Sequence, residues 1–157
     1  MNSPLTWILL RGLSREVGHW GSFVEDFSKR FPDQPVLAID LPGFGEFRSE
    51  VSPSSIQDIM TRVRAHALAR APSQSRFAIL ALSLGGMVAM EWLRSRPEEI
   101  ERCILVNTSS SALNSPLERL RWQVWGRMVG MVAQTAPRKR EAALADLLIN
   151  SPEGREA

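Results

Sequence analysis

The chain has 157 residues, 44% of them hydrophobic and 23% charged, and a net charge of +2, which excludes a polybasic or acidic tail protein and fits one soluble globular domain. Nearly all basic residues are Arg, Lys29 and Lys139 being the exceptions, and they are interleaved with Glu and Asp, so nucleic acid is not expected as a partner. The single cysteine, Cys103, excludes an internal disulfide, and the first apolar run, Leu5 to Leu10, is too short for a membrane span or a signal-peptide core, so a cytoplasmic protein without stable membrane insertion is expected.

In chain order, Leu5 to Leu10 is a continuous apolar run, the pattern of a strand buried on both faces of a parallel sheet. Trp20 to Phe31 places Phe23, Val24, Phe27 and Phe31 at helical spacing, and Pro32 stops it. Val36 to Ile39 is the second strand and runs into the turn-rich Asp40-Leu41-Pro42-Gly43-Phe44-Gly45. Ser55 to Arg70 reads as a helix with Ile56, Ile59, Met60, Val63 and Ala67 on one face; His66 falls in its polar part and reads as solvated. Phe77 to Ala81 is the third strand, Gly86 to Arg96 the next helix, and Cys103 to Val106 a fourth strand in which Cys103 reads as a core thiol. This alternation predicts an α/β fold, a parallel sheet of about four strands with crossover helices. From Pro116 the pattern is helical only, with Leu117, Leu120, Val124, Met128 and Met131 in one stripe and a second helix beyond Pro137. The expected division is residues 1–111 and 112–157.

Chemistry concentrates at Ala81-Leu82-Ser83-Leu84-Gly85. A serine hydroxyl is a poor nucleophile and must be presented and activated. A sharp turn between a buried strand and a helix makes it protrude from the carboxyl end of the sheet and aims the next backbone N–H at a developing oxyanion. Such a turn needs very small residues two before and two after the serine, here Ala81 and Gly85, and Gly86 leaves room for the helix to cross the strand. The bland alternative is that Ser83 merely caps the helix that follows.

With these residues the sequence resembles the α/β-hydrolase superfamily from about Leu5 to Thr108. The family's G-x-S-x-G carries Ala at its first position here; its His-Gly after the first strand is Arg11-Gly12-Leu13; and Asp40 to Gly45 resembles its D-x-P-G-x-G loop. The resemblance implies Ser83 as nucleophile, the backbone N–H groups of Leu13 and Leu84 as oxyanion hole, a structural role for Asp40, and a small acyl ester as substrate, with no metal or organic cofactor.

A triad of this kind needs an acid and then a His after the serine, yet both histidines, His19 and His66, precede Ser83. His19 is expected to line the pocket mouth with Trp20 rather than act as base, and Asp146, the one Asp after Ser83, falls in a helical stripe rather than at a strand end. The expectation is therefore a partial, truncated α/β-hydrolase fold. Its segment from Pro116 is cap-like, with Trp122, Trp125, Met128 and Met131 facing the pocket or, alternatively, packing as an ordinary helix or lying on a membrane surface. A fourth strand left at the sheet edge would invite self-association. The rival reading is a non-catalytic binding or partner-docking module on the same scaffold. A dinucleotide-binding domain is disfavoured because no second glycine follows Gly12 two residues on.

Overall fold

The structure, a computed structural model, describes residues 4–108. Four strands, β1 (Leu5–Leu10), β2 (Val36–Ile39), β3 (Arg76–Leu82) and β4 (Ile100–Val106), form one parallel sheet in the order β2-β1-β3-β4. Three helices alternate with them: α1 (Phe23–Arg30), α2 (Ile56–Arg70) and α3 (Leu84–Ser95). Among the described residues no helix is long and apolar enough to cross a membrane.

The apolar runs become the centre of the sheet because both of their faces are covered. Ile8, Leu9, Leu10, Phe77, Ala78, Ile79 and Ala81 are fully buried. Ile8, Leu10, Ile79 and Ala81 join Ile59, Val63 and Ala67 of α2 and Val88, Ala89 and Trp92 of α3 in one core. Side chains alternate along a strand, so Trp7 points to the opposite face. There it meets Phe27 of α1 edge-on at 5.0 Å and Phe31 at 5.6 Å, while its indole Nε1 donates to Gln34 Oε1 at 2.7 Å. Ser55 caps α2, its Oγ accepting from Asp58 N at 3.1 Å. On the far side of that helix the Arg64 guanidinium holds Glu99 (Nε to Oε2, 2.8 Å), and Trp92 Nε1 donates to the same oxygen at 2.8 Å. This three-residue joint ties α2 and α3 to the turn that launches β4.

Several expectations are corrected. The first helix starts at Phe23 rather than Trp20, because Gly21 at φ +55° breaks it off from a short 3₁₀ turn, Val17–Trp20. Likewise α3 starts at Leu84, directly after the serine, rather than at Gly86. The fourth strand begins at Ile100, three residues before the apolar run. It is an edge of the described sheet, where Cys103 is half-buried and packs against the core, and Ile104, Leu105 and Val106 are exposed. Burial still pushes the Cys103 thiol up from its ordinary range. The helical segment expected from residue 112, including Trp122, Trp125, Met128, Met131 and Asp146, lies outside the described residues.

Strand order places the site. From β1 the chain steps to β2 on one side, then crosses to β3 on the other, so the crevice beyond the carboxyl ends of β1 and β3 is the switch point of the sheet. Arg11-Gly12 follows β1 and Ser83 follows β3, so the two motifs meet at that crevice.

Candidate active site

Ser83 occupies the junction between β3 and α3 with φ +52° and ψ −115°, a conformation that L-residues rarely adopt. It is exposed, whereas Ala81 two residues earlier and Gly85 two residues later are buried. Its backbone is anchored on both sides: Ser83 N donates to Val106 O of β4 at 3.0 Å, and Ser83 O accepts from Gly86 N at 3.0 Å and Met87 N at 3.2 Å. As helix cap it offers no side-chain bond to the first turn, so the hydroxyl is not spent on capping α3.

The glycines are explained by contact. A Cβ at Gly85 would lie 2.5 Å from Arg11 O and 2.8 Å from Leu10 Cβ, so any larger residue would push α3 off the end of β1. A Cβ at Gly12 would lie 3.1 Å from Ser83 Cβ and 3.5 Å from its Oγ. The loop after β1 therefore lies against the serine with bare backbone. A Cβ at Gly86 would collide with the Thr108 side chain, whose Oγ1 donates to Val106 O at 3.2 Å.

Leu84 is the first residue of α3, so its N–H has no intrahelical partner and sits at the positive end of the helix. Leu13 follows Gly12 and is 63% exposed. Neither Leu13 N nor Leu84 N donates a hydrogen bond among the described residues. That is the state required of donors kept for an incoming oxygen.

His19 and Trp20 lie in the short 3₁₀ turn Val17–Trp20 that follows the loop after β1. His19 Nδ1 accepts from Glu16 N at 3.0 Å and closes a capping box on the Val17–Trp20 turn. Trp20 stacks on Phe23 at 5.2 Å and lies under the Arg11 guanidinium, 4.9 Å from the ring centre. The sequence marks Arg11 only as standing where the resembled family has a His. A cation one residue after a buried strand, with a Trp nine positions on, was the available signal.

Asp40 is buried, and both its carboxylate oxygens are taken by backbone donors: Oδ1 by Val17 N at 2.6 Å and Oδ2 by Glu46 N at 3.0 Å. It staples the loop after β1 to the loop after β2, the structural role expected of it. Gly45, at φ +51°, lies so close to this carboxylate that no Cβ fits. His66 is half-buried rather than fully solvated: its ring stacks on Phe47 at 3.8 Å, and Nε2 faces Glu50 at 3.5 Å. Phe47 also lies under Arg70, which forks onto Glu46; that hydrogen bond holds the Glu46 carboxyl below its ordinary range.

Against known proteins, residues 8–157 match the family model described as alpha/beta hydrolase fold. Over 99 residues the chain is 33% identical to a pimeloyl-[acyl-carrier protein] methyl ester esterase of Nitrosomonas europaea, a match covering 63% of this chain and 35% of that protein. Among solved structures, ClbQ from the colibactin pathway superposes with a TM-score of 0.61 at 13% identity, over 85% of this chain and 57% of its own. RedJ, a thioesterase of the prodiginine pathway in Streptomyces coelicolor, superposes with a TM-score of 0.56 at 18% identity, over 90% of this chain and 54% of its own. The matched part is thus about a third of the length of the curated relative and little more than half of these structures.

Proposed function

The chain belongs to the alpha/beta hydrolase family, and from that premise we propose that Ser83 is the nucleophile of a carboxylic-ester hydrolase acting on a small acyl ester. One observation carries the reading: Ser83 is held at φ +52° in a strand-to-helix turn, its hydroxyl unused for capping and the bare backbone of Gly12 against it. In this reading Ser83 Oγ attacks the acyl carbon, and the carbonyl oxygen takes up the electron pair. The N–H groups of Leu84 and Leu13 hold that oxyanion until it collapses and expels the alkoxide leaving group. Water then cleaves the acyl-serine and restores the hydroxyl. Both proton transfers need a base. His19 and His66, the chain's two histidines, are engaged in capping and stacking away from that role. The chain by itself is therefore expected to turn over esters barely, the oxyanion hole leaving a residue of activity. The substrate class agrees with relatives whose names describe a methyl ester esterase and a thioesterase.

The second reading, a non-catalytic docking module, draws on that same lack of a base among the described residues. A missing base can be supplied from solution. We would expose the chain to p-nitrophenyl acetate at rising imidazole concentrations and follow the acetylated Ser83 peptide by mass spectrometry. The expected result is acetylation at Ser83 that accelerates with imidazole and is absent in Ser83→Ala. An unmodified Ser83 at every concentration would favour the docking module.

A further inference from the structure

Arg11 is a cation without an answering acid among the described residues. Its carbonyl packs on Gly85, two residues past the serine, and its neighbour Gly12 packs on Ser83 itself. The side chain is half-buried, and its Nε is sealed from solvent with no hydrogen-bond partner. The Trp20 indole N–H beneath it is sealed and unpartnered in the same way. Two buried donors therefore share one contact, and neither has an acceptor among the described residues. Burial, and then the charge of Arg15, push the Arg11 guanidinium below its ordinary range, and no carboxylate of the described residues offsets them. Arg11 forms no ion pair among the described residues, as is also true of Arg15, Arg30, Arg48 and Arg96, but of these it is Arg11 whose Nε is sealed without a partner. A half-buried charge without a counter-ion costs free energy that a bound anion would recover. The guanidinium lies over the Trp20 ring, 4.9 Å from its centre, and its planar fork suits a two-oxygen partner.

We propose that Arg11 is an anion-recognition site beside the Ser83 turn, and that the ester this protein takes carries a carboxylate or phosphate group. What the anion is attached to rests on the reading of Ser83 as nucleophile; the anion site does not. The two are therefore tested apart.

Binding is measured calorimetrically with inorganic phosphate, with monomethyl adipate and with uncharged dimethyl adipate. Either anion is expected to bind while the diester does not, and which one binds decides between phosphate and carboxylate. Arg11→Gln should weaken the affinity about tenfold, the size of one charge-assisted hydrogen bond. Arg30→Gln, which removes a positive charge elsewhere, should keep it. If Arg11→Gln does not fold, Arg11→Lys serves instead: it keeps the charge, loses the planar fork and should still weaken binding severalfold. Equal affinity in the Arg11 variant and the wild type, or no anion binding at all, overturns the proposal.

Acylation of Ser83 in the imidazole assay is then compared for mono-p-nitrophenyl adipate and p-nitrophenyl hexanoate. The charged ester should be preferred, and the preference should fall about tenfold in Arg11→Gln. If the hexanoate acylates Ser83 but no anion binds, the anion site falls and the nucleophile stands. If anions bind through Arg11 but neither ester acylates Ser83, the nucleophile falls and the anion site stands.

Discussion

At the residue scale the site is defined by stored strain. Holding a non-glycine residue in a sparsely populated region costs about 1–3 kcal/mol and persists only where surrounding contacts enforce it. Here the bonds from Ser83 N to Val106 and from Gly86 and Met87 to Ser83 O enforce it. Alanine at position 83 would keep the strain, because the strain comes from the Cβ at φ +52°. Glycine would release it, at the cost of extra freedom in the unfolded chain. We therefore expect Ser83→Gly to be about 1 kcal/mol more stable than Ser83→Ala in urea unfolding. Equal midpoints would mean that the turn is relaxed. Much of this was legible beforehand, since Ala81 and Gly85 announce a turn with no room for side chains. What was not legible is Arg11. Among the described residues its Nε is left without a partner, and sequence shows which groups are present but not which are left unpaired.

At the element scale the helices are locked to the sheet by a few polar joints inside an apolar interface. The strongest is Arg64–Glu99–Trp92. The Arg64 hydrogen bonds dominate and hold the Glu99 carboxyl below its ordinary range, against the opposing effect of burial; the Trp92 N–H adds to them. A carboxyl lowered on folding contributes stability that is complete above its unfolded pKa, about 4.3 for Glu. That contribution is lost as pH falls through the folded value. Glu99→Gln should therefore be less stable than wild type at pH 7, by about 1–2 kcal/mol. The difference should shrink as pH is lowered from about 4.3. Urea melts at pH 7, 4 and 3 check this, and parallel losses in both proteins would show that the joint carries no pH-dependent stability. The helical face of Ile59, Met60, Val63 and Ala67 could be read from its spacing. Neither the Glu99 joint nor the stacking of His66 on Phe47 could be, because each joins residues at least 19 positions apart or on separate elements.

At the scale of the whole molecule, alternating strands and helices announced a parallel sheet, but not its order. The order β2-β1-β3-β4 brings Gly12 and Ser83 together and also leaves β4 as an edge of the described sheet. That edge is unusual for its chemistry. Natural edge strands are short, charged or interrupted. β4 has Glu101 and Arg102 near its start but ends in Cys103-Ile104-Leu105-Val106, with Ile104 46%, Leu105 41% and Val106 37% exposed. The strand pairs with β3 from Phe77 to Leu82 along one side, and no described strand pairs with its other side. Unpaired backbone groups flanked by exposed aliphatic side chains favour pairing with another chain. The purified chain is expected to self-associate with rising concentration. Ile104→Lys, which puts a charge on the edge, should move it toward the monomer at little cost to stability, since the side chain is half in solvent. Light scattering after size exclusion, over a tenfold concentration range, reads this directly. A wild-type chain that stays monomeric throughout would mean that β4 is not an open edge in solution.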